Sequence, residues 1–168
     1  MDHSGFRAEW DRIYATGNDG IRSMTPEAFM TMILEWCQSL DKHHNLEEQH
    51  VFPKLAVKMP AFRRDESDES RVADVVHANE RLVSSPGYVH EQHRQIHAGL
   101  DVLHNCVKTW LAREQNEVDW EDTRKLMDSF GAILWKHMDE EVEMLGAANM
   151  KLYWTLDEMK QLPFKVKD

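Results

Sequence analysis

The sequence predicts an all-α protein, an up-down-up-down four-helix bundle closed by a short C-terminal helix. Three observations carry that expectation. Four stretches set apolar residues three and four apart, the spacing that gives a helix one apolar face. No stretch shows the alternation of β-branched and polar residues expected of a strand. Most connections between the stripes are short, which favours antiparallel neighbours. The 168 residues fit one domain with a real hydrophobic core. The expected organisation is therefore a single domain over 1–168, with 60–87 as a long connection between helices two and three and 146–168 as a C-terminal extension.

Residues 3–14 form the first helix, with His3, Phe6, Trp10 and Ile13 on one stripe, and Gly17-Asn18-Asp19-Gly20 ends the pattern. Thr25-Pro26-Glu27 then starts a helix, with Thr as N-cap, Pro at the first helical position and an acid in the first turn. Its stripe runs Phe29, Ile33, Trp36, Leu40, His43, Glu47. In that register His43 and Glu47 continue the buried seam, and His44 and Glu48 stand one step to its side, His44 as an outer or alternative ligand. Pro53 and Pro60 mark the decay of this helix, and residues 63–71 are a solvated connection. Residues 72–83 have the pattern of an amphipathic turn or two. Ser84-Ser85-Pro86-Gly87 opens the third helix, whose stripe is Val89, His93, Ile96, Leu100, Leu103, Val107, Trp110. His97 lies one turn after His93. After the break at Gln115-Asn116-Glu117, a fourth helix from about Asp119 carries Leu126, Phe130, Ile133, Leu134, His137, Glu141 and Leu145. Gly146 is a helix stop. Thr155-Leu156-Asp157-Glu158 reads as a capping box for a short terminal helix bearing Leu156, Met159 and Leu162.

Composition narrows the function classes. The 30 acidic and 20 basic residues give a formal charge of -10, which repels phosphate backbones and anionic lipid, so neither nucleic acid nor membrane is an expected partner. No apolar run approaches the roughly 18 to 20 residues of a membrane span, and the N-terminus lacks a charged-then-apolar signal pattern, so a soluble, cytoplasmic protein is expected. Cys37 and Cys106 are isolated, with no spacing for a zinc knuckle, redox motif or attached haem. The ten histidines are the unusual feature, and placement has to decide their role.

In an up-down-up-down bundle, the starts of helices one and three share an end with the finishes of helices two and four. His3, and His93 with His97, stand near the starts. His43 with Glu47, and His137 with Glu141, stand near the finishes, roughly 25 to 30 Å along at about 1.5 Å per residue. All seven groups converge on one layer. Buried polar and charged groups left without partners cost several kcal/mol apiece, so the layer calls for cations. Seven ligands exceed the four that one zinc ion takes, which argues for two ions of higher coordination number. Imidazole with carboxylate suits iron or manganese, and iron is the choice. Of the remaining histidines, His50 and His77 are expected at the surface, His90 flanking the third helix and His104 at a core boundary.

These residues resemble the hemerythrin family in its HHE cation-binding branch. The signatures are His43-His44-Asn45-Leu46-Glu47-Glu48 with Val51-Phe52-Pro53, Glu91-Gln92-His93-Arg94-Gln95-Ile96-His97, and His137-Met138-Asp139-Glu140-Glu141, with His3 at the first-helix position. Oxygen-carrying hemerythrins place the last acid five residues after its histidine, where this chain has Val142. The match is therefore to the HHE type, with Glu141 as ligand and Glu140 as runner-up. The resemblance implies a non-haem di-iron centre in a four-helix bundle, with His3, His43, Glu47, His93, His97, His137 and Glu141 as ligands. Manganese or zinc is the less favoured metal. The expected small partner is O2 or peroxide, and the residues name no protein partner. Three functions follow: oxygen binding, storage or sensing; a di-iron oxidase, oxygenase or peroxide-reducing enzyme; and an iron- or oxygen-responsive regulatory module.

Overall fold

A computed structural model describes residues 3–64, 85–113 and 118–164, and every regular element among them is helical. In chain order these are α1 (Ser4–Asn18), α2 (Pro26–Leu46), a π turn (Glu47–Val51), α3 (Phe52–Leu55), a 3-10 turn (Pro60–Phe62), α4 (Tyr88–Ala112), α5 (Trp120–Met144), α6 (Ala147–Met150) and α7 (Leu156–Met159). The four long helices, α1, α2, α4 and α5, are those the apolar stripes predict. The connection at 65–71, the amphipathic stretch at 72–83 and the break at 115–117 lie outside the described residues. No described helix is long and apolar enough to cross a membrane.

Local chemistry explains four of the helix starts. The His3 carbonyl accepts the Phe6 and Arg7 amides at 3.1 and 3.3 Å, so the backbone of His3 begins α1 while its ring makes no cap bond. Thr25 Oγ1 accepts the Ala28 amide at 3.1 Å, and Asp119 Oδ1 accepts that of Asp122 at 2.9 Å. The expected capping box of α7 forms between Thr155 and Glu158.

Two ends differ from expectation. α1 continues beyond residue 14 to Asn18, with Gly17 inside it against the ring of Trp120; a Cβ there would come within 2.3 Å of that ring. The chain leaves the helix only at Gly20 and Ile21, whose φ values are 69° and 58°. The second difference is at Pro53, which does not end the helical path. The Phe52 amide donates to the Glu47 carbonyl five residues back, a π turn. That wider turn sets Pro53 in the first turn of α3, where a residue without an N–H loses no helical bond.

The chain divides into two compact units. One comprises His44–Gln95 and Ile133–Asp168, and its core includes Phe52, Leu55, Phe62, Val89, Leu145 and Met150. Lys58 Nζ donates to both Glu158 carboxylate oxygens at 2.8 Å and lies over the Trp154 ring, fastening the α7 region to the segment after α3. The other comprises Asp2–His43 and Ile96–Ala132, with Trp10, Ile13, Phe29, Ile33, Leu100, Leu103 and Phe130 buried. Trp10 meets Trp36 and Phe130 edge-on, with centroids 5.4 and 5.9 Å away. Gly99 abuts Phe130, where a Cβ would come within 2.6 Å.

Candidate metal centre

The first unit holds a cluster of polar groups where an apolar core would be expected. His44, His93 and His137 are 0% exposed and Glu47 is 1% exposed. One ligand atom from each lies within 4.8 Å of every other. His44 and Glu47 come from the end of α2 and the π turn, three residues apart and so on one helical face. His93 comes from the second turn of α4 and His137 from late in α5. The His44 and His93 rings stack at 4.1 Å between centroids, and the His137 ring stands edge-on to both, at 5.4 and 4.6 Å.

Hydrogen bonds on the far side of two rings decide where their lone pairs point. His93 Nδ1 lies 2.9 Å from Glu48 Oε1, and a carboxylate only accepts, so Nδ1 donates. His137 Nδ1 donates to Gln92 Oε1 at 3.2 Å. With both protons held at Nδ1, the two Nε2 atoms face each other at 3.1 Å. His93 Nε2 is also 3.6 Å from Glu47 Oε2, and His137 Nε2 is 3.8 Å from Oε2 of the fully buried Glu141. Two converging nitrogen lone pairs beside carboxylates repel one another unless a positive charge stands among them. A metal ion fits that requirement, and three imidazoles with a carboxylate suit iron, manganese or zinc. Burial pushes the Cys37 thiol up to about 12, so it stays protonated and offers no thiolate.

The predicted residues fall as follows. Glu47, His93, His137 and Glu141 lie in this unit. His44, read as standing beside the seam, is among them. The buried face of α2 and its continuation runs Ile33, Cys37, Leu40, His44, Glu47, Val51, in steps of four and three. Trp36 and Cys37 both face inward, and a stripe drawn through Trp36 turns His43 in, whereas one drawn through Cys37 turns in His44. Glu140, the runner-up acid, is taken up elsewhere. It accepts from Gln92 Nε2 at 2.6 Å and from the Tyr88 hydroxyl at 2.9 Å, with Lys136 Nζ at 3.9 Å. Burial and the Glu140 carboxylate both raise the Tyr88 pKa, which keeps that hydroxyl a donor.

His3 and His43 belong to the second unit, where their rings meet edge-on at 5.2 Å. Phe6 lies 5.0 Å from His43, and its carbonyl accepts Trp36 Nε1 at 3.1 Å. His97, also in that unit, is half-buried with Nδ1 3.2 Å from Asp41 Oδ1. Outside these groups, His90 Nε2 donates to the Phe62 carbonyl at 3.2 Å, and burial lowers its pKa against that bond. His50 is exposed and His104 half-buried, and His77 lies outside the described residues. Sequence reasoning missed Glu48 and Gln92 as partners of the cluster histidines; the available signal was that each sits beside a cluster residue, Glu47 or His93, on its own helix.

Comparison with known proteins bears on the same residues. Residues 1–148 match the family described as hemerythrin HHE cation binding domain. A curated relative, the dimeric xanthone biosynthesis cluster protein R11 of Cryptosporiopsis sp. (strain 8999), is 25% identical over 126 residues, which is 71% of this chain and 39% of the relative. The chain thus spans about two-fifths of that protein's length. No solved structure matches significantly.

Proposed function

The chain belongs to the hemerythrin HHE cation-binding family, and from that membership we propose a non-haem di-iron protein that binds O2 or a reactive oxygen species, for oxygen binding, storage or sensing. The observation that carries the reading is the buried set His44, Glu47, His93 and His137. These four would hold one ion. The other sequence-derived ligands are His3, His43, His97 and Glu141. Bound ferrous iron would supply the reducing equivalents and the open coordination position.

The chain supplies the rest. Glu48 and Gln92 keep the Nδ1 protons on His93 and His137, leaving Nε2 of each as donor. Neutral imidazoles bring less negative charge than carboxylates, so an imidazole-rich set favours the ferrous state and reversible binding. The Phe52 ring, 4.9 Å from His93, sets apolar surface beside the cluster, and Leu134 and Met138 are buried on the helix that carries His137. A cytoplasmic location without nucleic-acid or membrane partners completes the proposal; the charge of -10 and the free Cys37 and Cys106 support it.

A second reading is a di-iron oxidase, oxygenase or peroxide-reducing enzyme. The name of the curated relative, a xanthone biosynthesis cluster protein, favours it. The two readings separate in one experiment on the purified full chain. Iron is quantified, and optical spectra are followed from anaerobic to aerobic conditions and back under vacuum. A carrier or sensor gives a spectrum that appears with O2 and reverses with unchanged iron; an enzyme consumes O2 and ends ferric. A chain that takes up no iron under anaerobic ferrous loading overturns both.

A further inference from the structure

Gln92 is completely buried, and an amide side chain keeps its shape when its oxygen and nitrogen exchange places. Which way it faces determines the tautomer of His137. If the oxygen faces His137, Nδ1 carries the proton and Nε2 is a lone-pair donor; if the NH2 faces His137, Nδ1 accepts and Nε2 carries the proton. The neighbour on the other side settles the choice. Glu140 offers only acceptors, and its Oε2 lies 2.6 Å from the Gln92 nitrogen, so the NH2 must turn to Glu140 and the oxygen to His137. Glu140 is itself held, by the Tyr88 hydroxyl at 3.1 and 2.9 Å and by Lys136 at 3.9 Å.

We infer that Tyr88, Glu140 and Gln92 form a positioning relay that fixes His137 as the Nδ1-protonated tautomer and so presents its Nε2 to the buried cluster. The relay is written into two helices at short range. Tyr88 and Gln92 are four apart in α4, and Lys136 and Glu140 are four apart in α5. His93, by contrast, is oriented by a carboxylate directly, through Glu48. The two histidines whose Nε2 atoms face each other thus have unlike supports. His93 is polarised by a full negative charge, whereas a neutral amide stands between His137 and the charge of Glu140. Glu140 acts through another residue and is no ligand. Its consequence for metal binding rests on the proposed metal-holding role of the cluster; the tautomer does not.

The test uses the full chain, metal-free and 15N-labelled, in a long-range 1H–15N correlation spectrum that distinguishes Nδ1–H from Nε2–H imidazoles. His137 is assigned by the signals lost in His137→Gln. The wild type is expected to show His137 protonated at Nδ1. Glu140→Gln keeps shape and removes the charge, and its own NH2 competes for the Gln92 oxygen. His137 is then expected to shift toward the Nε2–H form, and cobalt(II) affinity, measured by absorption titration, to fall about 10- to 100-fold. Tyr88→Phe leaves the carboxylate and is expected to keep the wild-type tautomer with a smaller loss of cobalt affinity. If circular dichroism shows that Glu140→Gln has lost helix, Gln92→Met decides by the same tautomer readout. An Nε2-protonated His137 in the wild type, or an unchanged tautomer in folded Glu140→Gln or Gln92→Met, overturns the relay. Failure of the wild type to bind cobalt(II) overturns the metal-holding role instead, with the relay still decided by the tautomer.

Discussion

His43 and His44 are adjacent in sequence and about 100° apart around their helix, and that rotation gives them different neighbours. His44 is fully buried with Glu47, His93 and His137, while His43 packs half-buried against His3 and Phe6. His44→Ala removes one of four donors from the cluster, whereas His50→Ala changes an exposed ring. Anaerobic ferrous loading followed by metal analysis is expected to show at least a tenfold lower iron affinity for His44→Ala and wild-type content for His50→Ala. Equal iron in both variants would remove His44 from the site. The burial of Glu47, His93, His137 and Glu141 was legible from the apolar stripes they continue. The burial of His44 was not, because a helical stripe is a face rather than a line. Trp36 and Cys37 both fit it, and a line drawn through Trp36 passes His44 by.

At the scale of the element, caps were the most legible signals. Thr25 and the Thr155/Glu158 box act where the sequence places them, because each needs only neighbours within one turn, and Asp119, where the fourth helix was expected to begin, caps it. Glycine and proline were less legible, because their effect depends on what packs against them. Gly17 reads as a stop yet lies inside α1, and Pro53 reads as a breaker yet is absorbed by a π turn. The first case makes a prediction with a sign. Gly→Ala in an open helix stabilises by roughly 0.5–1 kcal/mol. A Cβ added at Gly5 would meet nothing within 4 Å, whereas at Gly17 the Trp120 ring stands 2.3 Å away, held by its Nε1 bond to Asn18 Oδ1 at 2.9 Å. Gly17→Ala is therefore expected to destabilise by about 1–3 kcal/mol, and Gly5→Ala to be neutral or stabilising. Thermal melts of the two variants check this; a Gly17→Ala melting temperature at or above the wild type would mean that Trp120 can move aside at no cost.

For the whole molecule, the position of the cluster ties metal to stability. The four-helix content was legible because it is carried by stripes many residues long; the coupling follows from burial, which only the folded chain reveals. Without a cation, the converging Nε2 atoms of His93 and His137 and the nearby Glu47 and Glu141 carboxylates crowd electron-rich groups together away from solvent. A cation removes that cost and binds the folded chain in preference to the unfolded one, where His44, His93 and His137 are not held together. At free metal 100 to 1,000 times the dissociation constant, such binding contributes about 2.7 to 4 kcal/mol. For a chain of this length, each kcal/mol moves the melting temperature by about 2 to 4 °C. Chelation of the loaded protein is therefore expected to lower the melting temperature by about 5 to 16 °C, with recovery on adding ferrous iron under anaerobic conditions. His50→Ala is expected to show the full shift and His44→Ala much less of it. Complete removal of metal with no change in the melting temperature would mean that the buried donors are satisfied without a cation, and the cluster would lose its assignment as a metal site.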